Sequence, residues 1–323
     1  MSGDLIRGKT PHLSVLYQET LDGLNLRPGK RYIDGTLGAG GHSFGILEGT
    51  APTGQLLGLD ADSTALAIAA ERLKPFGERA RLRQANFAKM AEVAQAENFG
   101  PIAGIVLDLG LSSMQLDDAG RGFSFRGEGP LDMRFGDMQG DLTAAAIINQ
   151  WPEAKLVKLF FELGEEPQAR RLARAIVEAR QQAPIETTTR LAALLERATG
   201  GHSAGRTKKP LHPATRVFQA LRMTVNHELE SIAQGLAAAV TLLEPGGRLA
   251  VIAFHSLEDR VVKHFMQAEA SDKTMLPGLP ASLALTRTPT LKLITKKPLE
   301  ATPAEQASNR RSRSAKLRVA EKI

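Results

Sequence analysis

The chain has 323 residues, 42% of them hydrophobic, a formal net charge of +6 and no cysteine. That length supports a substantial core and two domains, while the missing thiols remove disulfides, thiolate metal sites, iron–sulfur clusters and cysteine nucleophiles. The opening MSGDLIRGKTPH lacks a signal-peptide core and no later stretch is apolar for the roughly 18 residues of a membrane span, so a soluble cytoplasmic protein is expected.

The first informative stretch is Arg31 to Ser43, RYIDGTLGAGGHS. A short apolar run, Tyr32-Ile33, leads into Asp34, then a loop with Gly35, Gly38, Gly40 and Gly41, then a helix start at His42-Ser43-Phe44. Glycine admits positive φ and close approach of backbone to a ligand, so the loop is either an ordinary turn or part of a nucleotide site. Gln55 to Asp60 is the next predicted strand. Asp60 stands twenty positions beyond Gly40 (60 − 40), where an acid can accept hydrogen bonds from both ribose hydroxyls of an adenosine cofactor. Asp62 reads as a solvated turn residue, and Ser63 as the N-cap of a helix reaching Leu73. Predicted strands continue at Ala80 to Gln84, Ile102 to Leu109, Arg248 to His255, Leu291 to Thr295 and Lys316 to Val319. The runs LLGLD, IVLDL and LAVIAF are continuously apolar, the pattern of strands covered on both faces. Alternating strands and helices predict a doubly wound α/β sheet with ligands outside the carboxyl ends of its strands.

The rhythm breaks over the 140 residues (248 − 108) between Asp108 and Arg248. Helical patterns at Thr143 to Asn149, Pro152 to Leu163, Gln168 to Gln181 and Thr188 to Thr199 fill the gap without a strong strand. They predict an all-helical domain inserted at 118–211, within a discontinuous sheet domain of 1–117 and 212–323. Because the insertion begins just past a carboxyl strand end, it is expected to overhang the cofactor crevice. HPATRVFQALRMTVNHELESIAQGLAAAVTLLEPGG then reads as a long helix or helix pair, begun by His212-Pro213 and stopped by Pro245-Gly246-Gly247. Gly200 to Pro210 reads as a flexible linker. Residues 288–323 hold nine Lys/Arg and three acids, which accounts for the whole net charge of +6. Such a basic end is either a solvated tail or a polyanion contact.

Two cofactor classes suit a glycine loop followed by Asp60. The pyrophosphate fingerprint G-x-G-x-x-G is incomplete, since Ser43 occupies its third glycine position after Gly38 and Gly40. S-adenosylmethionine carries no pyrophosphate, and its sites commonly place an acid ahead of the loop, as Asp34 stands here; it is the better match. At the end of the fourth strand, Asp108 to Gln115 (DLGLSSMQ) faces the position of a transferable methyl. Amino groups on nucleobases are poor nucleophiles because the lone pair is delocalised into the ring, and a group accepting the amine hydrogens favours attack. Asp108, Ser112 and His255 are candidates for that acceptor, and His255 is alternatively a structural residue. Methylation at a pyrimidine carbon through a cysteine adduct is excluded. Arg121, Phe123, Phe125 and Arg126 in RGFSFR, with Arg134 in GPLDMR, form a loop suited to stacking a base and holding phosphates, or else a structured lid with buried rings. Arg310, Arg311 and Arg313 are expected to contact phosphate. No spacing supports a metal site.

The segments HLSVL (12–16), YIDGT (32–36) with Gly38 and GGHS (40–43), DLGLSS (108–113) with QLDD (115–118), RGFSF (121–125), GPLDMR (129–134), HPATRVFQALR (212–222) and FHSLEDR (254–260) together resemble the ribosomal RNA small subunit methyltransferase H family, also called MraW. The resemblance covers most of the chain, in order. It implies a Rossmann-like class I S-adenosylmethionine-dependent methyltransferase sheet with an inserted all-helical domain that recognises RNA. It also implies methyl transfer to the N4 amine of a cytidine in the decoding region of bacterial 16S rRNA, within the small ribosomal subunit. The cofactor residues it implies are Gly40, Gly41, His42, Asp60, Phe87, Asp108 and Gln115; Phe87, after the third strand, comes from the resemblance alone and would stack near the adenine. Leu37, Ala39, Met114 and the run Arg311 to Arg313 are departures that remove no polar group of the motif.

Overall fold

The apolar runs pair as parallel strands. In the computed structural model, which describes residues 14–112, 115–116, 118–136, 142–200, 212–274 and 285–323, β1 (Arg31–Asp34), β2 (Gln55–Asp60), β3 (Ala80–Gln84), β4 (Ile102–Asp108) and β5 (Leu243–Ala253) form the parallel part of a sheet. Its order is β3-β2-β1-β4-β5, continued by β10 (Lys316–Lys322) and β8 (Leu291–Leu293), with β9 (Leu299–Glu300) also paired to β10. A separate antiparallel ribbon joins β6 (Lys273–Thr274) to β7 (Leu285–Thr286). Tyr32, Ile33, Leu56, Leu57, Ile105, Val106, Val251 and Ile252 have no solvent exposure. This is the two-sided burial that their unbroken hydrophobicity predicts. Strand order reverses direction at β1, between β2 and β4, which opens the crevice at the carboxyl ends where such sheets bind ligands.

The chain forms two compact units, Met1–Gly110 with Ser231–Ile323, and Leu111–Glu230. In the first, α1 (Tyr17–Leu24), α2 (Gly41–Gly49), α3 (Ser63–Leu73), α4 (Met90–Ala96), α10 (Glu228–Leu242, from residue 231), α11 (Ser256–Glu269) and α12 (Pro303–Ser308) accompany the sheet. The N-cap of α3 is Asp62, not Ser63: its carboxylate accepts from Thr64 N at 3.0 Å, and that role buries a residue expected to be solvated. The stop at Pro245-Gly246-Gly247 is a bulge inside β5, where the partners of Ile102 and Gly104 jump from Leu243 to Arg248.

The basic end of the chain is a strand, not a tail. β10 runs antiparallel to β5, with Lys316 opposite Ala253 and Glu321 opposite Arg248. Arg318 is buried on Asp259 through two contacts of 2.6 and 3.1 Å, and Arg248 meets Glu321 at 2.8 Å. Arg318 is thus neutralised inside the fold, while Arg310 and Arg313 keep their charge at the surface.

The second unit has its own core. The helices α5 (Ala144–Gln150), α6 (Glu153–Glu162), α7 (Ala169–Gln182), α8 (Thr188–Ala198) and α9 (Pro213–Val225) bring together Ile147, Leu156, Phe160, Leu172, Ile176 and Leu191. Val217, Phe218 and Leu221 of α9 belong to the same core, so the unit is wider than the expected 118–211. Asn226 then fastens the end of α9 to the preceding loop, donating to Met133 O and accepting from Phe135 N, both at 2.7 Å. Residues 201–211 of the expected linker lie outside the described residues. Among the described residues no helix is long and apolar enough to cross a membrane.

Candidate functional site

Three carboxylates stand at the carboxyl ends of adjacent strands: Asp34 on β1, Asp60 on β2 and Asp108 on β4. Asp34 is 2% exposed; it accepts from Thr36 N at 3.1 Å and from Ser43 Oγ at 2.7 Å, tying the start of the glycine loop to the start of α2. Burial pushes its carboxyl up to about 6, with the charge of Asp60 adding and those two hydrogen bonds opposing. Asp60 spans the loop from the other side, accepting from Gly38 N at 2.8 Å and Asp62 N at 2.9 Å. The loop itself is bonded to both neighbouring strands, by Gly35 N to Val106 O and Leu37 N to Leu59 O. Gly38 and Gly40 are left-handed, at φ 52° and 75°, and a Cβ on Gly38 would meet nothing nearer than Thr36 O at 3.9 Å. A Cβ on Gly35 would instead strike Leu107 at 2.5 Å, and one on Gly41 would collide with the Ser14 hydroxyl. The loop is thus a rigid cradle with one open side.

Asp108 is the acid without a settled role in packing. Its backbone N–H donates to Thr36 Oγ1 at 2.6 Å, while its Oδ1 is buried with no hydrogen-bond partner. Its Oδ2 lies 3.9 Å from His42 Nδ1. Burial pushes the Asp108 carboxyl up to about 8; the charges of Asp34 and Glu258 add to this, and Arg311 opposes it. His42 is buried, hydrogen-bonded from Nε2 to Val15 O at 3.2 Å and stacked on Tyr17. Desolvation lowers its pKa to about 4, so the ring is neutral at pH 7 and turns an Nδ1 lone pair towards Asp108. Phe87 opens a 3-10 turn capped by Asn86 and packs against Gly235, where a Cβ would sit 2.5 Å from its ring. Thr36 and Glu258 lie within the quoted segments YIDGT and FHSLEDR but were not singled out there; their closeness to Asp108 is tertiary.

The other two candidate acceptors are committed to helix caps. Ser112 Oγ accepts from Gln115 N at 3.2 Å, and Gln115 Oε1 accepts from Ser112 N at 3.0 Å, a reciprocal capping box. His255 forms a second box on α11: its Nδ1 accepts from Glu258 N at 3.3 Å, while Glu258 Oε2 accepts from the N–H groups of Phe254 and His255. The sequence signature of such a box is a pair three positions apart, and both S-x-x-Q and H-x-x-E were present to be read. His255→Ala is expected to cost roughly 1 kcal/mol in denaturant unfolding, and His255→Ser to restore it. If His255→Ser loses methyl transfer while keeping stability, the histidine is more than a cap.

The expected RNA-contacting residues separate into two groups. Phe123 is 6% exposed and stacks on Phe135 in the core of the second unit, and Phe125, half-buried, packs on His212 and Phe218 against that core, the packing that the alternative of a structured lid with buried rings expects. Arg134 is held on Asp132 by Nε and Nη2 contacts of 2.8 and 2.7 Å, and Arg121 donates to Arg134 O. Arg126, Arg310 and Arg313 are exposed, whereas Arg311 is half-buried and directs its charge at Asp108. Ser113, Met114 and Asp117 of the predicted motif lie outside the described residues, as does the expected His12-Leu13.

The chain matches the model of the MraW methylase family over residues 9–323. It is 51% identical to the ribosomal RNA small subunit methyltransferase H of Thermomicrobium roseum, over 97% of this chain and 94% of that protein. The protein of the same name from Dehalococcoides mccartyi is 50% identical over 97% of this chain and 87% of its own length, and that from Syntrophotalea carbinolica 48% over 97% and 98%. The chain belongs to the MraW methylase family.

Proposed function

We propose that this chain transfers a methyl group from S-adenosylmethionine to the N4 amine of a cytidine in the decoding region of 16S rRNA, acting in the cytoplasm on the small ribosomal subunit. Family membership supports the reaction class, since the relatives carry the name of small-subunit rRNA methyltransferases. The site's chemistry fits the cofactor: a one-sided glycine cradle, an acid spanning it at the end of β2, and a second acid with an orphaned buried oxygen. When bound, the cofactor supplies an electrophilic methyl on a sulfonium. Asp60 would hold the ribose hydroxyls, the loop from Gly38 to Gly41 and His42 would line the methionine side, and Phe87 would stack near the adenine.

The observation that carries the reading is the buried Oδ1 of Asp108, which has no hydrogen-bond partner among the described residues; the Ser112 hydroxyl and His255 Nδ1 serve capping boxes, and His255 Nε2 lies 3.0 Å from Glu258 Oε1 of its own helix. In its ionised form Asp108 would accept a hydrogen bond from the cytosine amine and hold the proton that this nitrogen gives up on methylation. Catalysis is then mostly positioning, with a carboxylate placed where positive charge develops on nitrogen. Arg310 and Arg313 are assigned to substrate phosphate. Mass spectrometry of nucleosides from 16S rRNA, with and without the enzyme, tests product, atom and substrate together: N4-methylcytidine is expected, and a methyl on carbon or on another base overturns the assignment. Calorimetry that found NADH bound and S-adenosylhomocysteine ignored would overturn the cofactor.

A further inference from the structure

The arginines of the inserted unit are mostly engaged. Arg134 is on Asp132, Arg180 donates to Ile148 O at 2.6 Å, and Arg222 grips Glu228 at 2.7 and 2.8 Å. The first two turns of helix α7 differ. They bury Ala169, Leu172, Ala173 and Ile176 in the core and turn Arg170, Arg171 and Arg174 outward, all three exposed and none in a hydrogen bond or ion pair among the described residues. Spacings of three and four residues put these side chains on one face.

The first turn does not favour that arrangement. Arg170 and Arg171 occupy it, where no acid and no capping side chain offset the positive end of the helix dipole, so a cation there is unfavourable. Arg170 and Arg174 are like charges at i, i+4 and repel; Glu178, four residues beyond Arg174, is the one acid of the helix. Three guanidiniums are thus held together against local helix energetics, on a face with an intact core behind it. Charge complementarity selects a polyanion, and guanidinium geometry matches phosphate oxygens.

We infer that the outer face of α7, with Arg170, Arg171 and Arg174, is a docking surface for the phosphate backbone of the rRNA substrate. The inference rests on the RNA-substrate reading above and adds a surface to it. Each arginine neutralises a phosphate without reading a base, so the face contributes affinity and orientation independent of sequence.

Filter binding of a 16S rRNA fragment is measured from about 50 to 400 mM KCl for the wild type, the triple Arg→Gln variant (R170Q, R171Q, R174Q) and the triple Arg→Lys variant, alongside thermal unfolding and S-adenosylhomocysteine affinity. Three lost contacts at roughly 0.7 each lower the salt slope by about two and the affinity about a hundredfold at 0.1 M salt. The Arg→Gln variant also melts at the same or a higher temperature, because repulsion is relieved, and binds S-adenosylhomocysteine like the wild type; the Arg→Lys variant retains RNA. An unchanged slope in the Arg→Gln variant of a wild type that binds and methylates RNA overturns this inference alone. A wild type that retains no RNA at low salt overturns the substrate reading with it.

Discussion

Asp60→Ala weakens binding of S-adenosylhomocysteine by about a hundredfold or more in titration calorimetry. Two charge-assisted hydrogen bonds to a ribose diol at about 1.5–3 kcal/mol each set that scale. A second loss compounds it. Asp60 already accepts from the backbone N–H groups of Gly38 and Asp62, so its removal also frees the cradle that the ligand lies in. Asp60→Asn is expected to be nearly as weak, because an amide offers one acceptor oxygen to two N–H groups and points its own NH2 at one of them. The homocysteine product is the better probe, since it lacks the sulfonium charge that Asp108 senses. Unchanged affinity in Asp60→Ala would show that β2 does not hold the ribose.

The affinity for S-adenosylmethionine rises as pH rises from 6 towards 8, by up to about tenfold per unit, whereas that for S-adenosylhomocysteine changes much less. The free Asp108 carboxyl is held up to about 8, so at neutral pH it keeps its proton. A sulfonium cation favours the ionised form, and binding then releases that proton; the neutral thioether of the product has no such demand. Four charged or titratable groups face this carboxyl: Asp34 from β1, Glu258 from α11, Arg311 from the turn before β10 and His42 from α2. Asp108→Asn flattens the difference between the two ligands and lowers turnover by about 10²–10⁴. A pH-independent ratio of the two affinities in the wild type would remove Asp108 from the neighbourhood of the reacting sulfur. The same shift has a signature in stability. A folded pKa raised above the unfolded one contributes stability below about pH 4 that is lost as pH rises through 8, so Asp108→Asn gains on the wild type in denaturation midpoints across that interval.

The sheet was largely legible because its strands are buried on both faces. Gln55 to Asp60 and Ala80 to Gln84 fall within the predicted limits, and Asp34, Asp60 and Asp108 follow from their places at strand ends. What escaped was whatever depends on which core a segment meets. The amphipathic stripe of α9 is plain in the sequence, yet nothing in its period tells that Val217 and Phe218 face Phe160 and Leu191 and not the sheet. The charge of residues 288–323 did not reveal which cations are buried, for a similar reason: the partner of Arg318 is 59 residues away, and the acid Glu321 pairs with Arg248, 73 residues away. Ser112 and His255 were singled out as chemical groups when their nearest obligation was to backbone N–H groups three residues on. A capping side chain and a catalytic one look alike until the helix start is seen.

The pairing of β4 with β5 sets Asp108 opposite Ile252, 144 residues later (252 − 108), and everything in the second unit is encoded between them. Bringing together two ends so far apart is an entropic burden on forming the middle of the sheet, and each halving of the floppy length between them lightens it by about 0.6 kcal/mol. A helical segment with a private core, able to condense from near-neighbour contacts, shortens that length before the strands meet. The expected order of assembly is that the interruption organises first and the sheet that it interrupts forms afterwards, with amide protection during refolding appearing earlier at Leu172 and Ile176 than at Val106 and Val251.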